Sequence, residues 1–206
     1  RTHHNPPPNR VLIEHIKKLS KLNNSISQVT IVKPRCEEKY EDYYDLEDIS
    51  NVKIEFVDCE NLSYSPGQFL KAFEVYKEEF DYYIFIEDDY CPNMDNFDSI
   101  LIDLYKETFT DVGILCSIVE GNKQYRTIGG YPQHWEGVMV ANCQTLQSLY
   151  DSNLFNANPR VAINHISKID NSNFSWEAKK LEHYGGYCQV AFSHLFTLLN
   201  IEHKDY

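Results

Sequence analysis

Apolar positions follow a helical period in some stretches of the chain and a strand period in others. Apolar residues spaced three and four apart predict a helix from about Val11 to Leu22. Three consecutive prolines at positions 6–8 are expected to prevent an earlier start. Two short stretches follow, 28–32 and 52–57, and the second alternates between apolar and polar residues as a strand does. The first part of the chain is therefore predicted to contain a helix and two strands.

The next stretch predicts a second helix and a central strand. Ser65 is a suitable helix N-cap, and Pro66 fits the first helical position after it. Four aromatic residues between positions 69 and 80 then continue as one apolar stripe. Tyr82–Ile86 is continuously apolar, which is typical of a strand that is covered on both faces.

The pattern beyond this strand predicts further helices and strands. The helices are expected at 97–109, 144–150 and 188–200, and the strands at 112–119 and 137–140. Helices that alternate with strands indicate an α/β fold, with a mixed, mostly parallel sheet flanked by helices. The regularity weakens after about Glu120, which predicts a less regular C-terminal region.

Composition and charge limit the classes of function. The 206 residues suit a single domain with a sizeable core, and the formal net charge is −12. No run of Lys and Arg occurs, which argues against nucleic acid and anionic lipid as partners. No stretch reaches the roughly 18 apolar residues that span a bilayer. An acidic protein that binds an anionic ligand needs a few placed cations or a metal ion.

The cysteines and the first residue bear on the compartment and on the extent of the protein. The six cysteines are widely spaced and form no Cys-x-x-Cys pair, which argues against structural zinc. Several lie in apolar stretches, as ordinary core thiols do, so a reducing, cytoplasmic location is expected. The chain begins at Arg1 rather than Met, and we expect it to belong to a longer, multidomain polypeptide.

The most informative motif is the acidic triplet Glu87-Asp88-Asp89, which directly follows the predicted central strand. In open α/β sheets, ligands bind outside the carboxyl ends of the strands. Three adjacent carboxylates repel one another, and a divalent cation relieves that repulsion. Their hard oxygens suit magnesium or manganese, which commonly share coordination with substrate phosphates. The alternative is a solvated acidic turn, which Cys91-Pro92-Asn93 would also support.

This arrangement resembles the GT-A glycosyltransferases, whose DXD motif follows a hydrophobic strand. Glu87-Asp88-Asp89 fits the motif, with Glu in place of the first Asp, and residues 61–72 resemble the loop and helix before that strand. The resemblance covers about Thr2 to Ala141. The sequence is similar to glycosyltransferase domains of chlorella viruses. The resemblance implies a single catalytic domain over 1–206, with a nucleotide-binding part (about 1–118) and an acceptor-side part (about 119–206). For a viral protein, the expected location is the host-cell cytoplasm.

The resemblance also implies a donor, an acceptor and a metal. Asp89 would be the principal metal ligand, with Asp88 and His203 as further candidates and manganese or magnesium as the ion. Glu87 or Asp88 would contact the ribose or a metal-bound water. The implied reaction moves a sugar, a UDP-linked hexose or deoxyhexose, from the nucleotide to a glycan hydroxyl while the diphosphate leaves on the metal.

Four further residues are candidates for donor binding. Thr2 would end a first strand that precedes the chain, in a segment that cradles the nucleotide in GT-A proteins. Arg10 could bind the diphosphate or the base, Asp58 could meet the base or ribose, and Lys71 could reach a phosphate. Each of the last three could equally be an ordinary surface residue.

The acceptor side offers aromatic and acidic candidates. His134 and Trp135 are expected to bind acceptor or sugar, because tryptophan stacks on the apolar faces of sugars. Glu136 or Glu177 could act as the catalytic base. Many inverting GT-A enzymes carry this carboxylate at a late helix start, where this chain has Tyr184-Gly185-Gly186-Tyr187. Retention, which needs no such base, is therefore a second possibility, and a core tryptophan beside a solvated glutamate is the structural alternative.

Other functions fit the sequence less well. A sugar-phosphate nucleotidyltransferase usually has a Gly-rich N-terminal loop with Arg and Lys, which this chain lacks. A metal-dependent nuclease would need clustered His and Asp ligands and a basic track for nucleic acid. A carbohydrate-binding module without activity explains the aromatic residues but not the acids at the strand end.

Overall fold

The computed structural model describes most of the N-terminal two thirds of the chain and parts of the rest. The described residues are 8–34, 51–59, 64–87, 90–118, 134–153, 192, 195–196 and 199–206. The helices in these ranges are α1 Pro8–Leu19, α2 Tyr64–Tyr76, α3 Phe97–Thr108 and α4 Cys143–Asp151. The strands are β1 Gln28–Pro34, β2 Lys53–Cys59, β3 Tyr82–Ile86, β4 Gly113–Ile118, β5 His134–Asn142 and β6 Glu202–Lys204.

The strands form two hydrogen-bonded groups. β1 and β2 pair in parallel as a two-stranded sheet, and the other four strands follow the order β3-β5-β4-β6. β5 runs antiparallel to both β3 and β4, whereas β6 is parallel to β4. The mixed α/β architecture predicted from the sequence is thus confirmed. Among the described strands, two pairings are parallel and two are antiparallel. The sequence could not predict these directions, because a buried apolar run identifies a strand without indicating its direction.

Helix α1 begins earlier than the sequence pattern indicated. It starts at Pro8 and ends at Leu19, whereas the prediction was Val11 to Leu22. The prolines do not delay the start, because the first helical residue needs no N–H partner within the helix and Pro8 fits that position. At the other end, the N–H of Leu22 donates to the Leu19 carbonyl at 3.1 Å, which tightens the chain beyond the α-helical turn.

Helix α2 ends before the last member of its predicted aromatic stripe. Its final residue is Tyr76, and Glu78 takes a left-handed backbone conformation (φ 71°), so the helix does not continue to Phe80. Phe80 instead packs edge-on against Tyr83 of β3, with ring centroids 5.9 Å apart. The tyrosine hydroxyl of Tyr83 donates to the Tyr76 carbonyl at 2.7 Å. The end of α2 therefore lies beside the beginning of β3.

Helix α1 packs on the two-stranded sheet, and α2 contacts both of its strands. Ile16 of α1, Ile31 of β1 and Ile54 of β2 form a buried cluster. Helix α2 contacts β1 and β2, and it also carries Phe69 and Phe73 into the main core. The same helix therefore covers parts of both strand groups.

Strand β3 is covered on both faces, as its continuous apolar sequence predicted. Tyr83 and Phe85 face the main core, which contains α2, α4 and the buried residues Phe192 and Phe196. Tyr82 and Ile84 face a second cluster built around Tyr105 of α3. The alternation of side chains along a strand accounts for this division.

The segment after α1 is held to the beginning of α3 by carboxylate hydrogen bonds. The backbone N–H of Asn23 donates to Asp95 Oδ1 at 2.8 Å. The N–H and the hydroxyl of Ser25 both donate to Asp98 Oδ2, at 2.8 and 2.6 Å. Asp98 is buried. These bonds connect the segment that leads into β1 with the beginning of α3, the helix that packs on the four-stranded sheet.

The remaining predicted elements agree with the structure except at three places. Helices α3 and α4 and strand β4 lie within one or two residues of the predicted bounds. Strand β5 begins at His134 rather than at 137, and β6 was not predicted. β6 has three residues, too few to show a period of two. Of the predicted helix at 188–200, the described residues Phe192, Leu195 and Phe196 are helical and buried. Leu199 and Asn200 are in a turn, and Asn200 has a left-handed conformation (φ 54°), so the helix does not extend to Asn200 as predicted.

Candidate functional site

The candidate site is at the carboxyl end of β3. The strand ends at Ile86, and Glu87, which is half-buried, follows it. The N–H of Tyr90 donates to the Glu87 carbonyl at 3.0 Å. Asp88 and Asp89, the predicted metal ligands, lie outside the described residues.

The first turn of α2 contacts the acidic segment. The Ser65 hydroxyl donates to Glu87 Oε1 at 2.7 Å. The sequence predicted Ser65 as the N-cap, but α2 begins at Tyr64 and Ser65 lies inside its first turn. Pro66 is accepted there because the first-turn N–H groups have no partner within the helix. The serine hydroxyl is therefore directed at the strand end instead of serving as the predicted cap.

Helix α2 is antiparallel to β3, and this direction brings Ser65 to Glu87. One hydrogen bond joins the first turn of α2 to the residue after β3. Another joins the last residue of α2 to Tyr83 near the start of β3. The rings of Phe69 and Phe85 stack between these ends, with centroids 4.6 Å apart. The positive end of the helix dipole is thus next to the Glu87 carboxylate.

Asp58 lies at the carboxyl end of β2, as predicted, and its side chain is exposed. Its carboxylate is 3.4 Å from the Lys33 ammonium of β1. The same ammonium lies over the ring of Phe56, 5.1 Å from its centroid. This pairing is compatible with both readings made from the sequence, a nucleotide contact and an ordinary surface acid.

Lys71 is engaged in a local cluster on α2. Its ammonium pairs with Glu74, which also accepts a hydrogen bond from the Tyr150 hydroxyl at 3.2 Å. The hydrogen bond from Lys71 is the main reason that the pKa of Glu74 is lowered. This arrangement favours the surface reading of Lys71 over the predicted phosphate contact.

The other predicted site residues are described incompletely or not at all. Arg10 lies in the first turn of α1, and its side chain is outside the description, as are Thr2 and Glu177. His134, Trp135 and Glu136 are the first three residues of β5, and their side chains are likewise not described. His134 is opposite Ile118 of β4.

His203 lies in β6, opposite Ile114 of β4. It is half-buried, and its ring centroid is 6.0 Å from that of Phe196. Two strands separate β6 from β3, and strands are about 4.8 Å apart, which places β6 about 14 Å from β3 across the sheet. The predicted partners of His203, Asp88 and Asp89, lie outside the described residues, so its role as a metal ligand stays a prediction.

Within the described ranges, no group of three or more His, Cys, Asp or Glu side chains is placed to hold a metal ion. Two of the three acids in the predicted cluster are outside those ranges. Glu87, the acid of the cluster that is described, has hard carboxylate oxygens, which suit its predicted contact with the ribose or with a water bound to Mg²⁺ or Mn²⁺. No helix in the described part of the chain is both long and apolar enough to cross a membrane.

The sequence reasoning missed two exposed side chains beside the acids. Tyr90 is 41% exposed and Met94 is 51% exposed, in the segment that leads from the acidic triplet to α3. An exposed ring can stack on the apolar face of a sugar. The sequence signal for this site was Tyr90, the aromatic residue directly after the acidic triplet.

Burial determines the protonation state of Cys116, the cysteine in an inner strand of the sheet. Cys116 of β4 is fully buried, and burial raises the pKa of its thiol to about 12. The group therefore remains a neutral thiol at ordinary pH. For Cys116, this confirms the prediction that cysteines in apolar stretches are core thiols.

The fold of this chain matches that of a solved glycosyltransferase. The chain is similar to mouse xyloside xylosyltransferase 1 in its apo crystal structure, with a TM-score of 0.60 and 12% sequence identity. The match covers 100% of this chain and 82% of the mouse chain. It confirms the predicted GT-A-like fold. No protein-family model matches the sequence, and no curated protein matches it.

Proposed function

We propose that this protein is a glycosyltransferase that moves a sugar from a nucleotide-sugar, a UDP-linked hexose or deoxyhexose, to a hydroxyl of a glycan. The observation that carries the proposal is the acidic segment at the carboxyl end of β3 in a glycosyltransferase fold, with Glu87 held by the first turn of α2. Ligands of open α/β sheets bind at this end of the strands.

The donor site in this proposal is built on the acidic triplet. Asp89 and Asp88 hold manganese or magnesium, and Glu87 contacts the ribose or a metal-bound water. Bound there, the ion would take up the charge that develops on the leaving diphosphate. The hydrogen bond from Ser65 supports this role, because it restricts where the half-buried Glu87 carboxylate points.

The transfer step breaks the bond between the anomeric carbon and the phosphate oxygen and forms a bond from the acceptor oxygen to that carbon. In an inverting reaction, the acceptor proton goes to a carboxylate, for which Glu136 and Glu177 are the candidates. In a retaining reaction, it goes to the departing diphosphate. The anomeric configuration of the product separates these two cases.

The acceptor side of the proposal uses aromatic residues. His134 and Trp135, at the start of β5, are proposed to contact the acceptor or the donor sugar. Tyr90 adds an exposed ring close to the acidic segment. Aromatic rings beside carboxylates suit a ligand that has both apolar faces and hydroxyl groups.

The test is a turnover screen with UDP-glucose, a UDP-linked deoxyhexose such as UDP-rhamnose, and UDP-xylose, each with Mn²⁺ or Mg²⁺ and with chelator. UDP-xylose is included because the mouse neighbour is a xylosyltransferase by name. We expect release of UDP and formation of a glycoside with at least one donor, and only when metal is present.

Two other outcomes would contradict the proposal. Consumption of sugar 1-phosphate and UTP with release of pyrophosphate would identify a nucleotidyltransferase. Binding of glycans without turnover of any nucleotide-sugar would identify a carbohydrate-binding domain. The acids at the end of β3 argue against the second outcome, since sugar binding alone does not require a metal-diphosphate site.

A further inference from the structure

The Ser65–Glu87 hydrogen bond joins a helix to a strand end across 22 positions of sequence. A serine hydroxyl has a single hydrogen, and at 2.7 Å this hydrogen is donated to the Glu87 carboxylate. Bonds of a hydroxyl to a carboxylate are shorter and stronger than bonds between neutral groups. Both side chains are half-buried, so water competes with the bond only in part.

The serine is fixed more firmly than the glutamate that it contacts. Helix α2 is held to β3 by the Phe69–Phe85 stack and by the Tyr83–Tyr76 hydrogen bond. Glu87 follows the last residue of β3 and has three rotatable side-chain bonds. A hydrogen bond from a rigid helix therefore restricts which way the Glu87 carboxylate points.

The helix also supplies a favourable electrostatic environment for this carboxylate. The first-turn N–H groups of α2 have no partners within the helix, and they give its N-terminus a partial positive charge. Contact with Ser65 draws one carboxylate of the acidic segment towards that charge. The negative charges at the end of β3 are thereby partly offset by the protein itself.

We propose that Ser65 is a positioning residue that orients Glu87 for metal-dependent binding of the nucleotide diphosphate. The proposal rests on the proposed function, since it assigns Ser65 a role at the same donor site. Ser65 acts through Glu87 and contacts neither the metal nor the sugar in this account. Its removal should therefore weaken nucleotide binding only as long as Glu87 is present.

The test compares UDP affinity in Mn²⁺ among Ser65→Ala, Ser65→Thr, Glu87→Ala and the Ser65→Ala/Glu87→Ala double variant. We expect Ser65→Ala to weaken binding about 10-fold, as loss of an outer-shell partner does at metal sites. Ser65→Thr keeps the hydroxyl and should bind within about 3-fold of the wild type. The double variant should bind no more weakly than Glu87→Ala alone.

Ser25→Ala is the matched control. It removes another serine–carboxylate hydrogen bond, to Asp98, outside the candidate site. We expect it to lower the unfolding temperature without ligand and to leave UDP affinity unchanged. A loss of affinity in Ser65→Ala that merely reflected a weaker fold would appear in Ser25→Ala as well.

The outcomes separate this inference from the proposed function. The role of Ser65 would be overturned if Ser65→Ala bound UDP as tightly as the wild type. It would also be overturned if the losses of affinity in Ser65→Ala and Glu87→Ala added in the double variant. In either case, metal-dependent UDP binding by the wild type would still stand. UDP binding by the wild type that is the same in chelator would overturn the proposed metal site, and the role of Ser65 with it.

Discussion

Asp89→Ala should reduce sugar transfer about 1000-fold or more. In the proposed site Asp89 is the principal ligand of the ion that stabilises the leaving diphosphate. Such stabilisation amounts to several kcal/mol, and about 4 kcal/mol corresponds to about a 1000-fold change in rate. The measurement is kcat/KM for the donor found in the turnover screen, at saturating Mn²⁺ and at neutral pH.

Asp103→Ala is the control for this substitution. Asp103 is an exposed acid on α3, and its replacement removes the same charge away from the end of β3. We expect its kcat/KM to stay within about 2-fold of the wild type, since surface substitutions usually have small effects. An Asp89→Ala enzyme that kept a tenth or more of wild-type activity would refute the ligand assignment.

Phe73→Ala should destabilise the fold by about 3–5 kcal/mol. The Phe73 side chain is fully buried in the main core, and its ring meets Tyr83 edge-on with centroids 5.4 Å apart. Alanine would leave a cavity between α2 and β3, because the packed helix and strand relax only partly. Urea unfolding at equilibrium, followed by circular dichroism, gives the change in the free energy of unfolding.

Val75→Ala on the same helix is the matched comparison. Val75 is 46% exposed, so its truncation removes little buried surface and should change stability by no more than about 0.5 kcal/mol. If Phe73→Ala lost no more than Val75→Ala, α2 would not be packed on β3 as described. The position of Ser65 beside Glu87 would then have no rigid support.

Much of the fold was predictable from local pattern, because burial determines the pattern. The unbroken apolar run of β3 predicted a strand covered on both faces, and the two clusters that flank it confirm this. The helical spacing in α3 and α4 predicted both helices to within a residue at each end. These elements have sequence periods that match one packed surface.

Features that depend on tertiary context were not predictable in the same way. The antiparallel direction of β5 cannot be read from its residues, since strands of either direction have apolar faces. The early end of α2 follows from the left-handed conformation of Glu78, a residue type that rarely adopts it. Helix α1 starts at Pro8 because proline suits the first helical position, although it interrupts a helix further in.

Some features of the candidate site were likewise predictable from local sequence, whereas others depended on tertiary context. Its position after a predicted buried strand made the acidic triplet a candidate site, since ligands bind at strand ends, and Glu87 does follow the last residue of β3. The partner of Glu87 could not be identified, because Ser65 is distant in sequence and had a plausible alternative role as a helix cap. The position of His203 on β6 depends on strand order, which has no local sequence signal.

The most direct test of the proposed metal-diphosphate site is the heat stability of the wild-type protein with UDP. At about 100 times its dissociation constant, UDP should stabilise the fold by about 2.7 kcal/mol, which is roughly 5–10 °C for a chain of this size. We expect this rise with Mn²⁺ or Mg²⁺ and no rise with UDP in chelator, as the proposed metal site requires. An equal rise in chelator, unchanged by Asp89→Ala, would contradict it.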